Sequence, residues 1–97
     1  MSWALNNVTT KDKYEAATTI ETGLAKRATI DVYNKAIFVS VLTEPRGVKG
    51  QAQWQPERFA APGSLTLARK GLFGVRVRSA VKGEAAQVTI EVLASTD

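Results

Sequence analysis

Alternation is the most regular signal in this chain. Phe73, Val75, Val77 and Ser79 alternate with Gly74, Arg76 and Arg78, and Val88, Ile90 and Val92 alternate with Thr89 and Glu91. A period of two puts successive side chains on opposite faces of an extended backbone, so both segments read as half-buried β-strands. Weaker versions recur. Residues 29–33 place Ala28, Ile30 and Val32 on one face, residues 64–68 do the same with Leu65 and Leu67, and residues 51–55 pair Ala52 with Trp54 against three glutamines. Residues 36–43 are apolar on both faces, as a central strand covered from both sides should be. In the absence of helices, that cover is expected from a second sheet or another subunit.

Turn chemistry punctuates these segments. Asn34-Lys35, the loop 44–50, the stretch 56–63 with its closing Pro-Gly, Arg69-Lys70-Gly71 and Lys82-Gly83-Glu84 all read as connections. Gly23 is expected to end whatever element precedes it. The last two strands, joined at Gly83, are expected to form an antiparallel hairpin. Residues 14–17 could carry a short capped helix, but an extended lead into a strand at about 17–22 suits Thr18, Thr19 and Ile20 better. Short turns leave no room for parallel crossovers. The prediction is an all-β fold: a small antiparallel β-sandwich, jelly-roll or immunoglobulin-like, over residues 17–97, preceded by an extended N-terminal arm over residues 1–16. Periodicity does not encode strand order, so both connectivities stay open.

Composition narrows the chemistry. The chain has 97 residues, which is one domain, with 44% hydrophobic and 23% charged residues and a net charge of +4. It has no cysteine, which removes disulfides, thiolate metal sites and cysteine nucleophiles. It has no histidine, which removes the commonest metal ligand and the usual base of a catalytic triad. Asp31, Glu57, Glu84 and Glu91 fall on separate segments, with no spacing that suggests a paired acid and base. The glycines of loop 44–50 do not form a phosphate loop. No catalytic, cofactor-binding or metal-binding residue is therefore assigned, and the chain is expected not to be an enzyme. No stretch approaches the length of a membrane span, and the first residues lack the features of a signal peptide, so a soluble chain without a cleaved leader is expected.

Three surfaces remain as candidates for binding. Alternation sets Arg76 and Arg78 on one strand face, roughly 7 Å apart. With Arg69, Lys70 and Lys82 near in sequence they are candidate phosphate contacts, the bland alternative being a solvated face paired with Glu91 or Glu84. Trp54 and Phe59, framed by Pro56 and Pro62, are candidates for a lateral contact with a partner or for stacking on a sugar; the alternative is ordinary core packing. Trp3, Leu5, Val8 and Tyr14 are the apolar residues of the polar leader. They are candidates for docking into a neighbouring subunit, or else cover the domain's own sheet edge.

The stretch from Arg27 to Leu93 resembles small β-structured virion proteins of tailed bacteriophages and phage-derived particles. The resemblance is carried by ATIDVYNKAI from Ala28, by Gln53-Trp54, by Pro62-Gly63-Ser64, by GVRVRSA from Gly74 and by AAQVTI from Ala85. It implies a structural protein of the virion: a capsid-associated, head-fibre or spike, or tail component, made in the host cytoplasm, with itself and other virion proteins as partners. No catalytic residue and no cofactor come with it. The rival expectations are a nucleic-acid-binding β-domain using the Arg76/Arg78 strip and a carbohydrate-binding module at a fibre tip using Trp54.

Overall fold

The computed structural model describes residues 2–45 and 50–94. Most of the candidate loop 44–50, the tail at 95–97 and the side chain of Lys70 lie outside the described residues. The described residues form β1 (Ser2–Thr10), a single 3-10 turn (Ala16–Thr18), β2 (Thr19–Val32), β3 (Ile37–Thr43), β4 (Gln53–Trp54), β5 (Arg58–Ala60), β6 (Gly63–Ser79) and β7 (Ala86–Ala94). The hydrogen-bonded order is β1-β7-β2-β6-β3-β4, with β5 also on β3, and every pair is antiparallel.

Two long strands build both halves of the sandwich. Residues 27–32 of β2 pair with residues 63–68 of β6 on one side and with β7 on the other, giving a first half β1-β7-β2-β6. Residues 19–25 of β2 pair with the far end of β6, which pairs in turn with β3, giving a second half β2-β6-β3 edged by β4 and β5. Four strand positions in each half, with β2 and β6 passing through both, is the connectivity of a jelly roll rather than an immunoglobulin-like sandwich.

The bends come from glycine. Across the β2–β6 ladder, residues 22–24 stand opposite Phe73 alone, and residues 69–71 stand opposite Lys26 alone. Gly23 (φ 84°) and Gly71 (φ 76°) occupy these bulges, in a backbone region that side chains with a Cβ avoid. Both glycines were expected to end strands. Instead they let the strands fold over without breaking the ladder. Gly74 has a different reason: a Cβ there would lie 2.7 Å from the carbonyl oxygen of Ile20, so no side chain fits between β2 and β6.

One core fills the space between the halves. Ile30, Ile90, Val88 and Val92 from the first half meet Ile37, Val39, Val75 and Val77 from the second, all fully or almost fully buried. Each such side chain contributes about 1.5–3 kcal/mol relative to exposure. The alternation in β6 and β7 that the sequence displays is the inward face of these strands. Phe38 and Ser40 on the outer face of β3 are covered by the chain itself: Ser40 Oγ donates to the Gln55 carbonyl (2.7 Å), and Phe59 and Arg78 lie against Phe38. The inner face of β3 is covered by the other half-sheet, as expected, and the outer face by these connections of the same chain.

Two further expectations are corrected. The segment 80–85 carries the chain from the second half to the first, so β6 and β7 do not form a hairpin; β7 lies between β1 and β2. A turn within one sheet and a link between two use the same residue types, which is why Lys82-Gly83-Glu84 could not distinguish them. Residues 2–10, expected in the arm, are a strand of the sheet. Their path is fixed by β7 and then by β6, whose end lacks a β2 neighbour. The Val77 carbonyl accepts from Thr10 Oγ1 (3.1 Å) and Thr18 Oγ1 (3.3 Å), and the Ser79 amide donates to the Lys11 carbonyl (2.7 Å). The seam between β1 and the start of β2 is thereby closed with its buried polar groups satisfied.

Candidate functional site

Arg76 and Arg78 share the outer face of β6, as alternation requires. Two connections fold over them. The link from β1 to β2 brings Tyr14, whose ring lies 4.2 Å from the Arg76 guanidinium carbon and 5.7 Å from that of Arg78. The edge beyond β3 brings Trp54, 4.4 Å from Arg76 on its own side. Arg78 stacks on Phe38 at 4.5 Å. Glu57 completes the cluster: Arg78 Nε donates to its Oε2 (2.9 Å), Arg78 Nη2 to its Oε1 (2.6 Å), and the Tyr14 hydroxyl to Oε2 (2.6 Å). The fork-to-fork geometry is the strong form of an ion pair.

The electrostatics follow from these contacts. The hydrogen bonds from Arg78, and then that from Tyr14, hold the Glu57 carboxyl below the usual glutamate range. Burial, reinforced by the hydrogen bond to Glu57, pushes the Tyr14 phenol up to about 12. Hydrogen bonding to Glu57 raises Arg78 further. Arg76 is different: its Nε is buried with no hydrogen-bond partner among the described residues, and the guanidinium is held by two aromatic faces. Beside it lies a shallow hollow of about 560 Å³, with Glu15 and Glu21 on its wall. This face is a closed unit, paired with Glu57 rather than with Glu91 or Glu84. Glu84 instead pairs with Lys35 (3.3 Å).

A second region is open. Between residues 66–69 of β6 and the β3–β5 edge lies a groove of about 290 Å³. Its lining is mixed: Val41 and Leu67 are half-buried at it with Val39 and Leu72 buried behind them, Gln55 and Thr66 are polar, and Arg58 and Arg69 stand at it with no ion-pair partner among the described residues. The bordering strand edge, residues 63–68, has the sequence Gly-Ser-Leu-Thr-Leu-Ala. It pairs with β2 on one side only, in unbroken register, and has no charge, no proline and no bulge. Such an edge leaves a row of backbone donors and acceptors available for another strand.

The sequence candidates therefore divide. Tyr14, Trp54, Arg76 and Arg78 come together, but on each other. Trp3, Leu5 and Val8 are half-buried on β1 and pack against the chain's own core. Phe59 is 63% exposed on β5, edge-on to Phe38 at 6.0 Å. Arg69 sits at the groove, across the Gly71 bend from Arg76, and Lys82 is exposed in the turn after β6. Of the candidate phosphate contacts Arg69, Lys70, Arg76, Arg78 and Lys82, Arg76 and Arg78 are thus held in the aromatic cluster, and the side chain of Lys70 lies outside the described residues. Arg58 and the edge 63–68 were missed; the lack of charge along 63–68 is visible in the sequence, but only the strand order shows that it borders an open edge.

Among the described residues no three His, Cys, Asp or Glu side chains are grouped to hold a metal ion, and no helix is long and apolar enough to cross a membrane. No family model matches the chain, and no curated protein matches it significantly. Solved structures do. The iron(II) form of HppE is similar over 95% of this chain at 15% identity and a TM-score of 0.53; the match spans 42% of the HppE chain. A protein of the disulfide-linked pili called Bacillus endospore appendages is similar over 98% of this chain and 87% of its own, at 16% identity and a TM-score of 0.50. At these identities the likeness is one of fold, and this chain has no cysteine with which to make a disulfide.

Proposed function

We propose that this chain is a noncatalytic structural subunit that joins copies of itself in a larger assembly, of the phage-virion kind, through its open seam. The observation that carries the reading is the uncharged edge 63–68, paired on one side only among the described residues, beside a groove of mixed polar and apolar lining. Strand addition satisfies the free backbone groups of the edge, and the groove adds a small apolar contribution beside the guanidinium groups of Arg58 and Arg69. The assembly role expected of Trp3, Leu5 and Val8 passes to the seam, because those side chains already pack on their own core. The pilus protein supports the reading only as a similar fold. On this reading the protein resides in a virion, with itself and other virion proteins as partners.

The nucleic-acid alternative is less favoured, because Arg78 is neutralised by Glu57 and Arg76 is stacked between two rings. The sugar alternative has the same difficulty at Trp54, whose ring is already used by Arg76. The test is the solution mass of the purified chain across a concentration series, for the native protein and for Thr66→Lys. Thr66 is exposed, so lysine there guards the edge without entering the core. The native chain is expected to exceed 10.5 kDa and Thr66→Lys to lose at least tenfold in association. Equal association of the two would remove the reading.

A further inference from the structure

Resting on the seam reading, we infer that the occupant of the seam is the free β2 edge of a second copy, so that copies join head to tail. Charge decides among the edges this chain can offer. Pairing the 63–68 edge with itself would gather Arg58 and Arg69 from both copies into one seam, four like charges with no carboxylate. The β1 edge has no charged residue from Ser2 to Thr10, and it is bulged between Leu5 and Val8, with Asn7 at φ 48°. Glu57, beside β5, is already bound by Arg78.

The start of β2 differs in charge, although it too is bulged, at Gly23. Its outer edge, residues 19–24, has no strand neighbour among the described residues; at Ala25 the pairing with β7 begins. The edge presents Glu21, exposed and without an ion-pair partner among the described residues, and Glu15 and Arg76 line the same hollow. The bulge at Gly23 leaves Leu24 46% exposed on this edge. Among the described residues, two carboxylates without an ion-pair partner, sharing a hollow with Arg76, and one exposed leucine thus stand against two guanidinium groups without an ion-pair partner at a groove of mixed lining. The bulge keeps the strand pairing short, so Glu21 and Leu24 carry much of the contact. Donor and acceptor surfaces are different, which makes the interface heterologous: the product is a ring or an open chain rather than a closed dimer.

The experiment is light scattering behind size exclusion on the full chain: native, Glu21→Arg, Arg69→Glu and the double variant, each checked for native circular dichroism. Both residues are exposed, so the fold should survive. Each single variant is expected to weaken association at least tenfold, and the double variant to recover it, because the reversed charges meet again across the interface. Single variants that associate like the native chain, or a double variant that stays dissociated, overturn the inference. In either case, if Thr66→Lys still abolishes association, the seam reading survives and only the occupant is wrong. A native chain that stays at 10.5 kDa at every concentration overturns both.

Discussion

The molecule has two arginine pairs with opposite surroundings. Arg76 and Arg78 are enclosed by Tyr14, Trp54 and Phe38, with Glu57 bonded to Arg78. Arg58 and Arg69 stand at a groove of mixed lining with no carboxylate partner among the described residues. The first pair fastens two chain connections to the outer face of the second half-sheet. The second pair stands at a seam with mixed lining and a strand edge that has no neighbour among the described residues. The same residue type thus serves the fold in one place and is available to a partner in the other. What separates them is which loops the topology brings over them.

The comparison breaks most sharply at Tyr14. Tyr14→Ala removes a ring from Arg76 and a hydrogen bond from Glu57, and should cost about 2–3 kcal/mol in chemical denaturation. Arg76→Ala should cost about 1–2 kcal/mol, through lost stacking alone. Glu57→Gln should cost about 1 kcal/mol, because the pair is partly solvent-screened. Its sign has a pH signature. A depressed carboxyl stabilises the fold above its ordinary value, near 4.5, and that contribution is lost as the pH falls below it. The gap between the native chain and Glu57→Gln should therefore close in acid. At the other extreme, the raised Tyr14 phenol contributes fully below its ordinary value of 10.0 and loses the contribution as the pH rises through about 12. In Tyr33→Phe protein, where Tyr14 is the single tyrosine, ultraviolet titration should give a midpoint near about 12. The smallest effects belong to the open seam: Arg58→Ala and Arg69→Ala should each leave folding stability within about 0.5 kcal/mol while altering association.

Much of this fold was legible in the alternating segments. The inward faces of β6 and β7, the common face of Arg76 and Arg78 and the all-β class all follow from a period of two. What periodicity omitted was connection. Gly23 and Gly71 look like strand ends, yet they are bends, because a positive φ tightens a strand as readily as it ends one. Lys82-Gly83-Glu84 looks like a hairpin turn, yet it crosses between half-sheets. Residues 2–10 look like an arm because β1 is an edge strand with modest apolar content. The site was partly legible: the residues singled out for their chemistry, Tyr14, Trp54, Arg76 and Arg78, do meet, but they satisfy one another. The open seam depended on a feature that is conspicuous only once strand order is known, the lack of any charge along residues 63–68.

The most direct test of the division between the two regions is amide hydrogen exchange on the native chain at low and high protein concentration. The account expects the edge-facing amides within residues 63–69 to gain protection as concentration rises, while those of residues 76–79, already fastened within the chain, stay unchanged. Protection that does not depend on concentration at residues 63–69, or that rises at 76–79 instead, would contradict it.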